Sequence, residues 1–291
     1  MTYAEIYRAG KEALEKAGIE EAAQDARLLL EYVCGTDRNY LLAHGDNPLE
    51  EERRLAYREL TDKRALRIPL QQLTGVQFFM GLEFRVNEHV LIPRQETEIL
   101  VEEVLKYLHD GMRVLDMCTG SGCILISLLR YTNGCRGLGV DISPEALKVA
   151  EENAARLLSE NGDPGYDPES EPLRFLESDL FEKVDGTFDV IVSNPPYIPS
   201  AVIETLMPEV RDHEPGIALD GRDDGLFFYR KITEECKEHL AGGGMLFFEI
   251  GFDQGEAVKN LMEQHGFLEV QVLKDYAGLD RVVFGTLGFR L

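Results

Sequence analysis

Short apolar strand patterns alternate with helical patterns along the chain from Arg113 onward, and this alternation restricts the fold more than any other feature. Consecutive parallel strands need a long crossover, usually a helix, so the alternation predicts an α/β fold with a mostly parallel sheet and helices on both faces. Ligands of such sheets bind beyond the carboxyl ends of the strands, so we expect functional motifs in the loops that follow them. The predicted strands are Arg113–Met117, Gly137–Val140, Leu173–Glu177, Asp189–Ser193, Met245–Ile250, Phe267–Leu273 and Arg281–Thr286.

Residues 1–73 have a helical pattern instead. Apolar residues recur there at helical spacing, namely Ala22, Ala23, Ala26, Leu29, Leu30 and Val33. The sequence Asn47-Pro48-Leu49-Glu50 predicts the start of a further helix, with Asn47 as its cap and Pro48 in its first turn. Because this region contains no catalytic constellation, we interpret residues 1–73 as a small helical bundle that docks the substrate.

Residues 74–93 favour strands and predict a linker β-hairpin between the helical region and the sheet. The strand-forming residues are Phe78, Phe79, Phe84, Val86, Val90 and Ile92, and the turn candidates are Gly81 and Asn87. The remaining residues, 94–291, contain the sheet. Within them, residues 160–171 are rich in turn-forming and acidic residues, so we interpret them as a mobile surface loop.

Composition excludes several classes of protein. The 291 residues carry a formal net charge of −23, which repels phosphate backbones, so we expect no direct nucleic-acid partner. The sequence lacks a membrane-length apolar stretch and a secretory signal. Its five cysteines are an odd number, which disfavours a disulfide framework and fits a reducing environment, so we expect a cytoplasmic protein. The cysteines form no C-x-x-C pair and the histidines form no H-x-x-x-H pair, so we expect no metal.

A glycine-containing loop follows the first predicted strand and precedes a helix. Gly120 and Gly122 allow the backbone to turn sharply and to approach a ligand closely, and Asp141 at the end of the second strand can accept hydrogen bonds from a ribose diol. This pattern fits either S-adenosylmethionine or a dinucleotide, although Leu125 replaces the third glycine of the dinucleotide fingerprint and so removes support for a pyrophosphate. The candidate cofactor contacts here are Asp116, Cys118, Thr119, Gly120, Ser121, Gly122 and Asp141.

A second candidate contact with the cofactor follows the third predicted strand. Asp179 can accept a hydrogen bond from the exocyclic amine of adenine, and Leu180 or Phe181 can pack on the ring. This signal is weaker than the glycine loop because acidic residues are common in turns that have only a structural role.

The most specific motif is Asn194-Pro195-Pro196-Tyr197, which follows the fourth predicted strand. Two prolines fix the backbone and remove two N–H donors, so the Pro195 carbonyl is free to accept a hydrogen bond. Together with the side-chain oxygen of Asn194, it can bind both hydrogens of an –NH₂ group, while Tyr197 offers an aromatic face to a flat amide or base. We therefore predict catalytic roles for Asn194, Pro195 and Tyr197, substrate contacts from all four residues, and a cofactor contact from Asn194.

An amide nitrogen is a poor nucleophile because its lone pair is delocalised. Two acceptors that hold the –NH₂ group in place favour positive charge on the nitrogen and align it with a sulfonium methyl for in-line displacement. Positioning of this kind can supply up to about 7–11 kcal/mol. No side chain needs to act as a nucleophile, and the sequence does not identify a proton acceptor.

These motifs together resemble the release-factor glutamine methyltransferases, the HemK/PrmC family, over nearly the whole chain. Ile92–Glu98 is similar to the linker signature of that family, although Gln95 stands where proline is usual, and Cys118 replaces a glycine of its cofactor loop. The other segments that carry the resemblance are Asn194–Pro199, Glu209–Val210, His213–Pro215, Ala218–Leu219, Asp224–Leu226, Glu249–Gly251 and Asp275–Arg281.

The resemblance implies a seven-stranded, Rossmann-like class I methyltransferase domain at residues 94–291. It also implies S-adenosylmethionine as cofactor and, as substrate, the glutamine of a Gly-Gly-Gln tripeptide in peptide-chain release factors. An adenine-N6 methyltransferase remains an alternative because it shares Asn-Pro-Pro-Tyr, although the acidic composition disfavours it. A glutamine methyltransferase that acts on a ribosomal protein and a non-catalytic binding module with a decayed site also remain open.

Overall fold

The structure is a computed structural model that describes residues 1–158 and 173–288. The predicted surface loop at residues 160–171 lies outside the described residues. Two compact units are present, and each is formed by two pieces of the chain. The first contains Met1–Val76 and Met207–His213, and the second contains Gln77–Leu206 and Glu214–Leu291.

The seven predicted strands of the sheet are all present, in the predicted order along the chain. The helices are α1 (Tyr3–Lys16), α2 (Ala22–Cys34), α3 (Arg38–Ala43), α4 (Glu51–Ala65), α5 (Leu70–Thr74), α6 (Glu96–Leu105), α7 (Cys123–Arg130), α8 (Pro144–Leu157), α9 (Ser200–Ile203), α10 (Pro208–Arg211), α11 (Gly216–Leu219), α12 (Phe227–Glu235) and α13 (Gly255–Gln264), with a 3-10 turn at Cys236–Glu238. The strands are β1 (Val76–Phe79), β2 (Leu82–Arg85), β3 (Arg113–Met117), β4 (Arg136–Asp141), β5 (Leu173–Glu177), β6 (Phe188–Ser193), β7 (Leu240–Glu249), β8 (Phe267–Lys274) and β9 (Asp280–Leu287). None of the helices in the described part of the chain has the length and apolar character needed to cross a membrane.

The predicted α/β fold is confirmed by a seven-stranded sheet with the strand order β5-β4-β3-β6-β7-β9-β8. Strand β9 runs antiparallel to both of its neighbours, and the pairs from β5 to β7 are parallel. The chain moves from β3 outward to β4 and β5 and then crosses back to place β6 on the other side of β3. This reversal leaves a crevice at the carboxyl ends of β3 and β6, where open α/β sheets bind their ligands.

Alternate residues of the strands pack on opposite faces of the sheet, as strand geometry requires. Leu115, Ile191 and Phe248 belong to one buried cluster, whereas Val114 and Val190 belong to another. Strands β1 and β2 form a hairpin within the predicted linker, with Met80 and Gly81 in its turn at φ values of 50° and 71°. Positive φ at both central residues is typical of two-residue hairpin turns. The hairpin is shorter than predicted, because Val86, Val90 and Ile92 lie outside both strands.

The predicted helix start at Asn47–Glu50 is wrong. Helix α4 begins at Glu51, because the preceding residues pair with the N-terminus of the chain instead. Pro48 forms an antiparallel bridge with Thr2, and the carbonyl of Asn47 accepts a hydrogen bond from the backbone N–H of Tyr3 at 3.1 Å. This pairing holds Asn47 in a bend and Pro48 in an extended conformation. Asn47 therefore does not cap the helix, and Pro48 does not begin it.

A buried network of charged groups joins α10 to the helices of the first unit. The Arg64 guanidinium donates to Asp25 Oδ2 at 2.7 Å and to Glu209 Oε1 at 2.9 Å, while Arg67 donates to Glu209 Oε2 at 2.7 Å. Side-chain exposure is 9% for Arg64 and 11% for Glu209. Both oxygens of the Glu209 carboxylate are therefore paired, which incorporates Met207–His213 into a unit otherwise built from the N-terminus.

The Glu209 network predicts a large stability effect. Burial raises the pKa of Glu209, but hydrogen bonds from its own backbone N–H and from the two arginines outweigh burial and lower the pKa below its usual value. We expect Glu209→Ala to lower the free energy of unfolding of the first unit by about 2–3 kcal/mol, somewhat less than for a fully isolated buried pair because Arg64 keeps Asp25. The measurement is hydrogen exchange in α2 and α4, with a parallel denaturant titration.

A matched control and a pH series complete this test. Asp62→Ala removes an exposed carboxylate that lies 3.9 Å from Arg58 on the same helix as Arg64, and we expect a change within about 0.5 kcal/mol. Because folding lowers the pKa of Glu209, its contribution is present above the ordinary glutamate value of about 4.3 and is lost as pH falls through the lower folded value. Equal exchange rates in the Glu209 variant and the control would contradict a stabilising network.

Candidate functional site

A cavity of about 250 Å³ lies at the carboxyl ends of β3, β4 and β6, within the second unit. Most of its lining comes from the ends of these strands and from the loops and first helical turns that follow them and β5. The rest comes from the linker, from the start of α6 and from the segment around α11 and α12. The lining residues with polar or charged side chains are His89, Arg94, Thr97, Thr119, Ser121, Asp141, Ser143, Ser178, Asp179, Asn194 and Arg222. Apolar side chains complete the wall, among them Val90, Ile124, Ile142, Leu180 and Phe227.

The loop after β3 turns through backbone conformations that glycine favours. Gly120 has a φ of 54°, and a side chain at its Cα would meet no atom within 4 Å, so its backbone borders open space. Cys118 has a φ of 64°, which is costly for a residue with a Cβ and explains why a glycine would be suited to this position. The Cys118 side chain packs against the neighbouring hydrophobic cluster, and burial raises the pKa of its thiol well above the usual value.

Asp141 is fixed by backbone donors on both of its oxygens. Its Oδ2 accepts a hydrogen bond from the N–H of Gly120 at 2.9 Å, and its Oδ1 accepts one from the N–H of Ser143 at 2.9 Å. Burial raises its pKa, while these backbone bonds lower it in part. Each carboxylate oxygen has a further lone pair, so Asp141 can accept two more hydrogen bonds from a ligand in the cavity.

Asp116 lies below the glycine loop and does not line the cavity. Its side chain is fully buried, and its Oδ2 accepts a hydrogen bond from the Thr119 hydroxyl at 2.6 Å. Burial raises its pKa to about 7. This hydrogen bond connects Asp116 to the glycine loop, so Asp116 supports the loop.

The loop after β5 supplies Asp179 and Leu180 to the cavity wall. Asp179 is exposed, and Leu180 has a φ of 47°. Among the described residues, six that are not glycine have positive φ, and three of these, Cys118, Leu180 and Arg222, line the cavity. Strained backbone of this kind persists where the surrounding structure holds it, and it is concentrated at binding sites.

The Asn194–Tyr197 segment lies directly beside the glycine loop. Met117 and Ser193 are partners in the β3–β6 ladder, and the Ser193 hydroxyl donates to the Met117 carbonyl at 2.6 Å. Cys118 directly follows β3 and Asn194 directly follows β6, so these two residues leave the sheet side by side. Within residues 1–158 and 173–288, neither the Asn194 side chain nor the Pro195 carbonyl has a hydrogen-bond partner, so both acceptors are available.

Close backbone contacts fix the end of this segment. The Gln254 side chain donates to the Tyr197 carbonyl at 3.0 Å and to the Gly225 carbonyl at 3.3 Å. Gly225 has a φ of 72°, and a Cβ at this position would lie 2.3 Å from the Tyr197 carbonyl oxygen. Any other residue at position 225 would therefore displace the segment.

The side chain of Tyr197 lies among buried charged groups. Burial and the Glu249 carboxyl raise the pKa of Tyr197 to about 12, so the phenol stays protonated near neutral pH. Burial also raises the pKa of Glu249 to about 7, although the Thr97 hydroxyl opposes this shift. Within the described part of the chain, Glu249 Oε2 and Arg281 Nε are buried without a hydrogen-bond partner.

The structure brings most of the predicted site residues together. Those that line the cavity are Cys118, Thr119, Gly120, Ser121, Asp141, Asp179, Leu180, Asn194 and Pro196. Asp116, Gly122, Pro195 and Tyr197 are not among the lining residues. Sequence reasoning did not single out Ser143, Arg222 or Phe227 as site residues, because in the sequence they resemble an ordinary helix cap, a surface cation and a core aromatic.

Arg94 is a further lining residue, and it belongs to the linker segment that resembles the known family. Its guanidinium donates to Glu214 Oε1 at 2.6 Å, and the Glu214 side chain is only 1% exposed. Burial raises the pKa of Glu214 and Arg94 lowers it.

In the described residues, no three His, Cys, Asp or Glu side chains are grouped so that they could hold a metal ion.

Comparison with protein-family models gives two adjacent matches. Residues 5–75 match the PrmC N-terminal domain, and residues 95–207 match the Methyltransferase small domain. A solved methyltransferase structure from Pyrococcus furiosus has a TM-score of 0.54 and 19% identity, over 78% of this chain and all of that one. At this identity the likeness concerns the fold.

Curated relatives match over nearly the whole length of both chains. The release factor glutamine methyltransferase of Geobacter sulfurreducens is 42% identical over 94% of this chain and 93% of its own. That of Caulobacter vibrioides is 40% identical over 98% of this chain and 96% of its own. With such identity over nearly full length, and with both family models matched, this chain belongs to the release factor glutamine methyltransferase family.

Proposed function

We propose that the chain transfers a methyl group from S-adenosylmethionine to the side-chain amide nitrogen, N5, of a glutamine in a peptide-chain release factor. The observation that carries this proposal is the pair of available acceptors at Asn194 and Pro195, which follow β6 beside the glycine loop of β3. Relatives 42% and 40% identical bear the name release factor glutamine methyltransferase, which supports the same substrate.

The cavity residues fit S-adenosylmethionine, which would supply an electrophilic methyl group on a sulfonium sulfur and would leave as S-adenosylhomocysteine once the bond between that sulfur and the methyl group breaks. Asp141 has spare lone pairs for the two ribose hydroxyls, and the open space beside Gly120 allows close approach to the backbone. Leu180 and Ile142 supply apolar surface for the adenine ring, and Asp179 can accept a hydrogen bond from its amine. Asp116 and Gly122 contribute by shaping the loop.

The residues of the catalytic motif position the substrate amide. Asn194 Oδ1 accepts one amide hydrogen and the Pro195 carbonyl accepts the other, so the nitrogen lone pair is directed at the methyl group. Hydrogen bonds to both hydrogens stabilise positive charge that develops on the nitrogen as the new bond forms, and their preorganised geometry gives the largest gain in the transition state. The nitrogen then loses one proton. Tyr197 does not accept this proton, since its pKa of about 12 keeps the phenol protonated.

The partner protein in this proposal is a release factor, and the methylated residue is the glutamine of its Gly-Gly-Gln tripeptide. The helical unit that contains α1–α5 docks this partner, and no nucleic acid takes part directly. The formal net charge of −23 supports a protein partner over a phosphate backbone. A cytoplasmic location is part of the proposal because the substrate is a translation factor.

The geometry of Asp141 predicts an effect on cofactor binding. Asp141→Ala deletes the acceptor proposed for the ribose hydroxyls, so we expect S-adenosylmethionine to bind about 1.5–3 kcal/mol more weakly, the range for hydrogen bonds to a charged group. Isothermal calorimetry measures this loss directly. Glu145→Ala, on the exposed surface of α8, is the matched control, and an affinity that is the same in both variants would remove Asp141 from the cofactor site.

The geometry of Asn194 predicts an effect on turnover. Asn194→Ala removes one of two acceptors and leaves the amide free to rotate, so we expect single-turnover methyl transfer to an intact release factor to fall at least about 10²-fold. Cofactor affinity should change much less, because the lost contact acts mainly in the transition state. Asn194→Asp should also be impaired, since its negative charge stabilises the sulfonium reactant more than the neutralised transition state.

Three controls make the assay of Asn194 decisive. Asn260→Ala removes an exposed asparagine from α13 and should leave the rate unchanged. A release factor with Gln→Ala in its tripeptide should accept no methyl group, and transfer to it would overturn the glutamine assignment. Methylation of an adenine-containing oligonucleotide in place of the factor would instead support the adenine-N6 alternative. Near-normal transfer by a folded Asn194→Ala variant would show that other groups hold the amide.

A further inference from the structure

The turn between β8 and β9 presents an exposed aromatic residue with no role in the mechanism. Tyr276 is 92% exposed and Leu279 is 45% exposed. The four residues from Tyr276 to Leu279 are uncharged, although the second unit as a whole has 37 acidic and 18 basic residues and hence a net charge of −19. An aromatic and an aliphatic side chain therefore project together from a strongly acidic unit.

Hydrogen bonds within the turn fix its shape. The Asp275 carboxylate accepts bonds from the backbone N–H groups of Ala277 and Leu279, both at 2.9 Å. The Asp275 N–H donates to the Leu279 carbonyl at 2.7 Å, and Lys274 forms an ion pair with Asp280 at 2.6 Å. Because the turn is ordered in advance, a partner that binds it loses little conformational entropy.

The turn lies at the catalytic edge of the sheet. Strand β9 runs antiparallel to β7, so the start of β9 is level with the carboxyl end of β7. The N–H of Ile250, directly after β7, donates to the Arg281 carbonyl at 2.9 Å. The carboxyl ends of β3 and β6 meet at this same edge, which places the turn on the side of the sheet where the cavity opens.

A continuous series of hydrogen bonds leads from the turn to the catalytic motif. The Arg281 guanidinium donates to Asp275 Oδ2 at 3.1 Å and to the Ile250 carbonyl at 3.4 Å. The next residue, Gly251, donates its N–H to Gln254 Oε1 at 2.9 Å, and the same Gln254 side chain holds the Tyr197 carbonyl. The turn is thus supported by the groups that position the catalytic segment.

We propose that the Tyr276–Leu279 turn is a docking element for the release factor, in contact with a basic surface next to the methylated glutamine. This inference rests on the proposed function. The Tyr276 ring packs on a cationic side chain of the factor in a cation–π contact, and Leu279 makes an apolar contact beside it. The acidic charge of the unit attracts a basic partner and repels an acidic one.

Single exposed apolar residues are common on protein surfaces and need no function. Tyr276 differs from Leu268, which is 58% exposed on the same hairpin, in three respects. It lies at the catalytic edge, it is carried by a turn with fixed geometry, and that turn is bonded through Arg281 to the segment after β7. Leu268 lies near the opposite end of β8 and so provides a matched control.

The test compares the double variant Tyr276→Ala/Leu279→Ser with Leu268→Ser. We expect KM for an intact release factor, and the dissociation constant of a fluorescently labelled factor, to rise about tenfold in the double variant, as for the loss of a moderate interface contact. The kcat at saturating factor and the affinity for S-adenosylmethionine should stay within about twofold of wild type, because both exposed residues lie outside the cavity. Tyr276→Phe should retain most of the affinity, since it keeps the ring.

The outcomes separate this inference from the proposed function. If wild type methylates the glutamine and the double variant has the same KM as Leu268→Ser, the docking role is wrong. A fall in kcat with unchanged KM would also overturn it, because the turn would then support the catalytic segment without contacting the factor. If wild type transfers no methyl group to the glutamine of the factor, the proposed function fails instead.

Discussion

The register between β3 and β6 is the constraint on which the site depends. Met117 and Ser193 lie side by side, and the Ser193 hydroxyl closes this pairing with a 2.6 Å hydrogen bond to the Met117 carbonyl. This pairing aligns the loops that follow the two strands, so the glycine loop and Asn194 reach the same crevice. A shift of one residue would turn each side chain of β6 to the other face and would separate the two loops. The chemistry of this family therefore depends on ordinary strand pairing in the centre of the sheet.

Local patterns in the sequence were sufficient for the sheet and for the placement of most site residues. Short segments rich in apolar residues, bounded by turn residues and separated by helical patterns, indicate the buried strands of a mostly parallel sheet. The bounds of β3 and β5 agree with the prediction to the residue. Strand β7 begins at Leu240, five residues earlier than predicted, since glycines conceal its first half.

The features that could not be predicted depend on contacts between distant parts of the chain. Asp116 lies under the loop, where the Thr119 hydroxyl occupies one of its oxygens, and spacing alone gives no sign of this. Tyr197 has a similar ambiguity, because its aromatic ring suits a substrate face as well as the partly buried position that it occupies beside Glu249. The turn at Asn47 was misjudged because its competitor is the N-terminus, more than forty residues away. In each case a local preference was overruled by a partner that a single sequence does not reveal.

The nested position of Met207–His213 limits how the chain can be divided or recombined. A chain that began at Gln77 would still contain Glu209 but would lack its partners Arg64 and Arg67. The unpaired Glu209 carboxylate would then need water as its hydrogen-bond partner, in the segment that follows the catalytic motif. Exchange of the helical region between homologues carries the same risk unless residues 207–213 are exchanged with it. The two parts are therefore expected to be inherited together, and a chimera should respect three chain crossings between the units and not one.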